Sequence, residues 1–191
     1  LFLVLVPFLP RVQALGYGYD NRQIPPVNMH AFDYMKKDTE KLETAIGELM
    51  ENEGKHMFRT FNGMYLKGQT DSSCALFCSS NAVTKAEGTS GKEPRWTIER
   101  RGKKVAIKAS NEQYLRDSTN SLLGVVDLAD VCDAASLWIP EKNDDGSWSF
   151  KNEIQLRDQT WTKWLSAHRT DNLIVTMDEK KGCEKFWLES W

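Results

Sequence analysis

The chain has 191 residues and a formal net charge of −2 from 25 basic and 27 acidic side chains, with 40% apolar residues. That length suits one domain with an appendage, and so even a charge balance speaks against a dedicated nucleic-acid binder, whose domain is normally basic. Collagen-like and low-complexity classes are excluded by composition, and no apolar run approaches the roughly 20 residues that cross a bilayer.

The chain opens on an apolar run, Leu1 to Leu9, of the length of a secretory h-region. Pro10 breaks it, and Val12-Gln13-Ala14 places small residues at the two positions a signal peptidase reads. Residues 1–14 are therefore expected to be a secretion signal that lacks its leading residues, with cleavage after Ala14. An apolar strand or helix of a cytosolic protein is the alternative. Residues 15–32, with Gly16, Gly18, Pro25 and Pro26 among polar neighbours, read as an irregular tether.

Over 33–55 the pattern changes. Met35, Leu42, Ile46, Leu49 and Met50 recur at helical spacing, Asp33 or Asp38 can cap the start, and Gly54 can end the element. The spacing predicts an amphipathic helix over 33–53. Met35, Leu42 and Leu49 keep a seven-residue step, but their companion seam of Asp38, Ala45 and Asn52 is poor, so a helix laid against the domain competes with self-association.

From residue 57 to 191 the chain switches to short segments of period two, and it repeats. Phe58 to Leu66 aligns with Ile107 to Leu115, each running from an apolar strand position through an aromatic, Tyr65 or Tyr114, to leucine. A third copy runs from Phe150 to Trp164-Leu165 with seven residues inserted in its turn. Leu66, Leu115 and Leu165 thus stand 49 and 50 residues apart, and each copy closes on a tryptophan strand around Trp96, Trp138 or Trp187. One more strand per copy is expected near 75–78, 122–126 and 173–176. Twelve short strands in three copies, at about 57–101, 102–147 and 148–191, predict an all-β domain with the arithmetic of a single β-trefoil, a six-stranded barrel capped by hairpins. The repeated Leu66, Trp96, Leu115, Trp138, Leu165 and Trp187 are then core residues.

Cys74, Cys78, Cys132 and Cys183 are even in number and suit one or two disulfides in an oxidising compartment, with the pairing open. No CxxC is present, and His30, His56 and His168 stand apart from the cysteines and from each other, so neither a metal site nor a cofactor is expected. No nucleophile elbow, catalytic-Cys signature or phosphate-cradling Gly loop is visible, and His168 reads as a turn residue; a non-enzymatic protein is expected.

The third copy carries a family resemblance. Asp144-Asp145-Gly146-Ser147-Trp148-Ser149-Phe150, then Lys163-Trp164-Leu165-Ser166, then Glu184-Lys185-Phe186-Trp187 resemble the strands of fascin trefoils. The second copy, through Lys104-Val105-Ala106-Ile107-Lys108 and Gln113-Tyr114-Leu115, is also similar to fibroblast growth factors. Fascin resemblance implies actin-filament binding and cross-linking in the cytoplasm. A single trefoil would need self-association, through residues 33–53, to reach two filaments. No actin-contact residue of that family matches a motif here.

Arg100, Arg101, Lys103 and Lys104 surround Gly102 at an expected hairpin turn, an arrangement suited to sulfate oxygens. It marks an expected anionic-ligand patch for a secreted, extracellular protein that binds a sulfated glycan or a cell-surface receptor. The same charges also suit a solvated hairpin guarded against edge pairing. A ricin-type glycan site would show Gln-x-Trp in the last strand of each copy. The one such tripeptide, Gln159-Thr160-Trp161, falls in the inserted turn.

Overall fold

A computed structural model describes residues 29–68, 83–88, 91–92, 94–118, 126–156, 158–169 and 174–191. The expected signal segment, most of the tether, Cys74, Cys78 and the strand expected near 75–78 lie outside the described residues, as does most of the strand expected at 122–126.

Helix α1 (Met29–Leu49) starts earlier than the predicted Asp33, since no Pro or Gly lies between Pro26 and Asp33 to stop it. A 3-10 turn over Glu51–Gly54 follows it. Ala45, Ile46 and Leu49 are buried in the main core, whereas Tyr34 and Met35 are exposed. Only the C-terminal half of the apolar stripe is therefore laid against the domain. The predicted seam for self-association is divided, because Leu49 already serves the core while Met35 does not. His56 locks the helix end, its Nε2 lying 2.9 Å from the Leu49 carbonyl oxygen.

Twelve strands among the described residues follow in three sets of four. The first holds β1 (Lys55–Thr60), β2 (Tyr65–Gly68), β3 (Val83–Ala86) and β4 (Trp96–Arg101). The second holds β5 (Lys104–Ala109), β6 (Tyr114–Asp117), β7 (Val126–Ala129) and β8 (Leu137–Lys142). The third holds β9 (Trp148–Leu156), β10 (Gln159–Ala167), β11 (Ile174–Met177) and β12 (Phe186–Ser190). The described residues are thus all-β apart from α1 and short 3-10 turns. Antiparallel pairing runs β1 to β4, β5, β8, β9, β12 and back to β1, so six strands close a ring and leave no open edge. The other six pair as β2–β3, β6–β7 and β10–β11.

The repeated leucines Leu66, Leu115 and Leu165 are fully buried, as are Trp96 and Trp138. Each of those indoles also satisfies a core carbonyl, donating to Leu66 O at 2.9 Å and to Leu115 O at 3.0 Å. Trp187 departs from the expectation. The register Thr60↔Phe186 and Arg59↔Trp187 turns Phe186 inward, fully buried, and leaves Trp187 half-buried on the outer face. A one-residue step along a strand reverses the face, so the third core aromatic is Phe186.

The seven inserted residues of the third copy, predicted as a turn, instead lengthen both strands: β9 and β10 pair from Trp164↔Lys151 out to Gln159↔Leu156. Cys132 is half-buried and Cys183 buried, and both are free thiols rather than members of one disulfide. Cys183 instead accepts a hydrogen bond from Arg169 Nε at 3.1 Å.

One carboxylate opposes the fold at neutral pH. Asp117 is 1% exposed; its Oδ1 accepts from Thr176 Oγ1 at 3.2 Å while its Oδ2 has no partner. Burial holds this carboxyl above its ordinary 3.8, and the negative Asp127 nearby adds to the effect, against the Thr176 bond and the positive Lys163. A raised folded-state value favours the protonated form, so the contribution is full below 3.8 and is lost as pH rises through the folded-state value. Asp117→Asn should therefore gain stability relative to the parent between about pH 3 and about pH 7, read from urea unfolding at both. A difference that stays flat with pH would contradict it.

Candidate functional site

The three sets of strands put the same trio of side chains on the outer face of the ring. Each begins with a cation on the first strand of its set: Arg59, Lys108 or Lys151. Directly across the hairpin stands an aromatic, in the registers Arg59↔Tyr65, Lys108↔Tyr114 and Lys151↔Trp164. A glutamate completes each trio from the neighbouring ring strand. Arg59 pairs with Trp187 and Met57 with Glu189; Lys108 with Thr97 and Ala106 with Glu99; Lys151 with Ile139 and Ser149 with Glu141. Cation, aromatic and acid therefore recur three times at one register, because side chains two residues apart on a strand share a face.

The trios differ in how their acids are held. In the first, Arg59 Nε lies 2.7 Å from Glu189 Oε1 and the Tyr65 hydroxyl donates to Glu189 Oε2 at 2.8 Å. That bond to a carboxylate holds the Tyr65 phenol above its usual range. In the second, Lys108 Nζ lies 3.4 Å from Glu99 Oε1 and Arg101 lies 2.6 Å from Glu99 Oε2, with the Tyr114 hydroxyl at 3.4 Å from that same oxygen. The bond to Glu112, followed by the pull of Glu99, raises the Lys108 ammonium.

The third trio has an indole where the others have a phenol, so no aromatic hydroxyl ties up its acid. Glu141 is held by Lys180, whose Nζ also donates to Asn143 Oδ1 at 3.1 Å and stands 5.1 Å from the centre of the Trp164 ring. Lys151 Nζ is 5.9 Å from the same ring centre. Trp164 is half-buried, and Met177, opposite it on β11, is 46% exposed. Both ammonium groups stand over the indole, and where these lysines swing aside the ring can stack on the C–H face of a sugar while the acid, the amide and the displaced ammonium groups hydrogen-bond its hydroxyls.

The turn predicted to hold an anion is a hairpin between β4 and β5, with Arg101↔Lys104 at its base and Gly102 at φ +66°. Its two arginines are engaged within the fold. Arg100 reaches Glu43 of α1 at 2.6 Å, and Arg101 reaches Glu99 at 2.6 Å. Lys103 is exposed and Lys104 half-buried beside them. The four side chains do meet at one turn, yet Arg100 clamps the helix there and Arg101 belongs to the second trio.

The segment Asp144 to Phe150 forms the turn between β8 and β9 and the first residues of β9. The Lys185 ammonium, 2.6 Å from Asp145, and then the bonds from Ser147, whose N–H donates at 3.1 Å, keep the Asp145 carboxyl below the usual carboxylate range. Glu184, buried, accepts from Ser166 Oγ at 2.6 Å and from Lys181 N at 2.6 Å. These motif residues shape turns. Trp161, of the Gln159-Thr160-Trp161 tripeptide, is 48% exposed on the lengthened β10, on the face opposite Trp164.

No family model matches the chain, and no curated protein does. Among solved structures it is similar to a GlcNAcα1-4Gal releasing endo-β-galactosidase from Clostridium perfringens, at 15% identity and a TM-score of 0.55 over 70% of this chain and 31% of that one. It is similar also to a mosquitocidal holotoxin, at 14% identity and a TM-score of 0.58, over 72% of this chain and 17% of that one. A third is SeviL bound to asialo-GM1 saccharide, at 14% identity and a TM-score of 0.52, over 71% of this chain and 96% of that one. The chain thus spans under a third of the first protein and under a fifth of the second, but nearly all of SeviL. Likeness at these identities is one of fold.

Proposed function

We propose that this chain is a carbohydrate-binding β-trefoil that engages a glycan on the Trp164 platform, without turning it over. The recurrence of cation, aromatic and glutamate at one register in three sets of strands carries the reading. A ring of six strands with three hairpins beside it supports the trefoil, and the saccharide bound to SeviL, a structure of similar fold, supports glycan as the ligand class. Trp164 leads because it is the one indole among the trio aromatics, and because its acid, Glu141, is held by Lys180 without a tyrosine hydroxyl, whereas Glu189 and Glu99 are engaged by tyrosine hydroxyls as well as by Arg59 or Arg101. Secretion through residues 1–14 would bring such a protein to cell-surface glycans.

The test is titration with galactose and with the asialo-GM1 saccharide, followed by tryptophan fluorescence and calorimetry. Trp164→Ala should weaken saccharide binding at least about tenfold, close to 1.4 kcal/mol, with the unfolding midpoint almost unchanged. Tyr65→Phe should leave binding near that of the parent. The fascin resemblance makes actin filaments the competing partner, and co-sedimentation with filaments in the absence of saccharide binding would replace the glycan reading. Retention on heparin that disappears on replacing Lys103 and Lys104 would move the site to the β4–β5 turn.

A further inference from the structure

Between α1 and the β8–β9 hairpin lies a groove of about 700 Å³, the size range of small-molecule sites. Helix residues Asp38, Lys41, Thr44 and Glu48 form one wall, and Leu42, Ala45, Ile139 and Pro140 supply an apolar floor. The opposite wall includes Glu141, Asn143 and Lys151. These three belong to the Trp164 platform, so groove and platform are continuous. Two ion pairs brace the helix wall: Glu48 with Lys142 of β8, and Glu43 with Arg100.

From this continuity we propose that the groove is an extension subsite, through which the protein selects an uncharged oligosaccharide of two or more residues over a single sugar. The inference rests on the glycan reading and adds the ligand's size and charge. The first residue stacks on Trp164 and the next lies between α1 and β8. Charge sets the class: around the groove Asp38, Glu48, Glu141 and Asp144 stand against Lys41, Lys142, Lys151 and the Lys180 that holds Glu141, and Glu48 is paired with Lys142, so no excess of positive charge is left for a sulfated or sialylated branch. A neutral chain meets hydrogen-bonding groups along both walls and an apolar floor for its C–H faces.

The full chain is titrated with galactose, with the asialo-GM1 saccharide as the neutral oligosaccharide, and with a heparin oligosaccharide. The expected result is binding of the asialo-GM1 saccharide at least about tenfold tighter than galactose. Thr44→Trp, an exposed helix position that fills the groove, should erase that increment and leave galactose affinity unchanged. Asp38→Trp, farther along the same wall, serves where Thr44→Trp fails the circular-dichroism check for α1.

Galactose and oligosaccharide binding equally to the parent would overturn the groove proposal while the Trp164 platform stands. An increment that survives both tryptophan variants would overturn it too, as would a heparin oligosaccharide that competes for the groove. Absence of binding by every saccharide would instead remove the glycan reading itself, and the subsite with it.

Discussion

Phe58→Ala is expected to remove about 3 to 5 kcal/mol of folding free energy, the range for emptying a buried aromatic site. Phe58 is fully buried on β1, with the rings of Phe150, Phe186 and Trp96 at 5.4, 6.2 and 6.3 Å between centroids. These neighbours come from β9, β12 and β4, so one side chain joins strands from the first and third sets. Truncation leaves a cavity that the closed ring cannot collapse to fill, since moving one strand inward drags the two it is bonded to. Against a total of about 5 to 15 kcal/mol for an ordinary domain, that loss is a large share of what holds the barrel. Guanidinium unfolding should show a lower midpoint at unchanged slope, and Phe58→Leu should recover most of it. A loss under about 1 kcal/mol for the alanine variant would mean that Phe58 is not the centre of the core.

Most of the fold was legible because closure of a threefold barrel forces a repeat on the sequence. Equivalent positions must supply equivalent inward side chains, so Leu66, Leu115 and Leu165 announced three copies before any pairing was known. The mistaken Trp187 shows where such reading stops. Trp187 and Phe186 are both large, aromatic and adjacent, and only the pairing Thr60↔Phe186 decides which of them faces inward. The insertion in the third copy failed for a related reason: Gln155 to Gln159 carries charged and amide residues common in turns, yet cross-strand pairing with its own partner was enough to extend β9 and β10.

The trios leave a trace in the sequence that shows only when the three copies are aligned. In all three copies a cation follows the apolar anchor directly, at Arg59, Lys108 and Lys151, and a glutamate stands three residues beyond the core aromatic, at Glu99, Glu141 and Glu189. A charge run such as residues 100–104 draws notice because its charges are adjacent in sequence. The trios assemble from three strands each, so their members are never adjacent in sequence, and the first reaches from Arg59 to Glu189. The ion pair of Arg100 is hidden on the same account: its partner Glu43 lies 57 residues earlier, on a helix whose docking the local sequence does not specify.

Gly54→Ala should cost about 3 kcal/mol and loosen the helix wall of the groove. Gly54 stands at φ +69°, after Asn52 at 53° and Glu53 at 59°, so three successive left-handed residues turn the chain from α1 into β1. A Cβ there would lie 2.3 Å from the Ile98 carbonyl oxygen and 3.2 Å from its carbon, and both atoms are backbone of β4. The left-handed conformation alone costs an alanine about 1 to 2 kcal/mol, and the collision adds to it because β4 is bonded on both sides and cannot retreat. Gly146 separates the two effects, since it shares the positive φ, at +79°, but has nothing within 4 Å of a Cβ. Gly146→Ala should therefore cost only about 1 kcal/mol. Relief of the Gly54 collision requires the start of β1 to leave β4, where Lys55 and His56 pair with Thr97 and Trp96. His56 moves with it, and its contact to the Leu49 carbonyl at the end of α1 is lost. Hydrogen exchange should then quicken along residues 40–49 in Gly54→Ala, with strands β9 and β10 still protected. Equal quickening in both glycine variants would show that backbone conformation, not the approach to Ile98, governs how firmly the helix is seated.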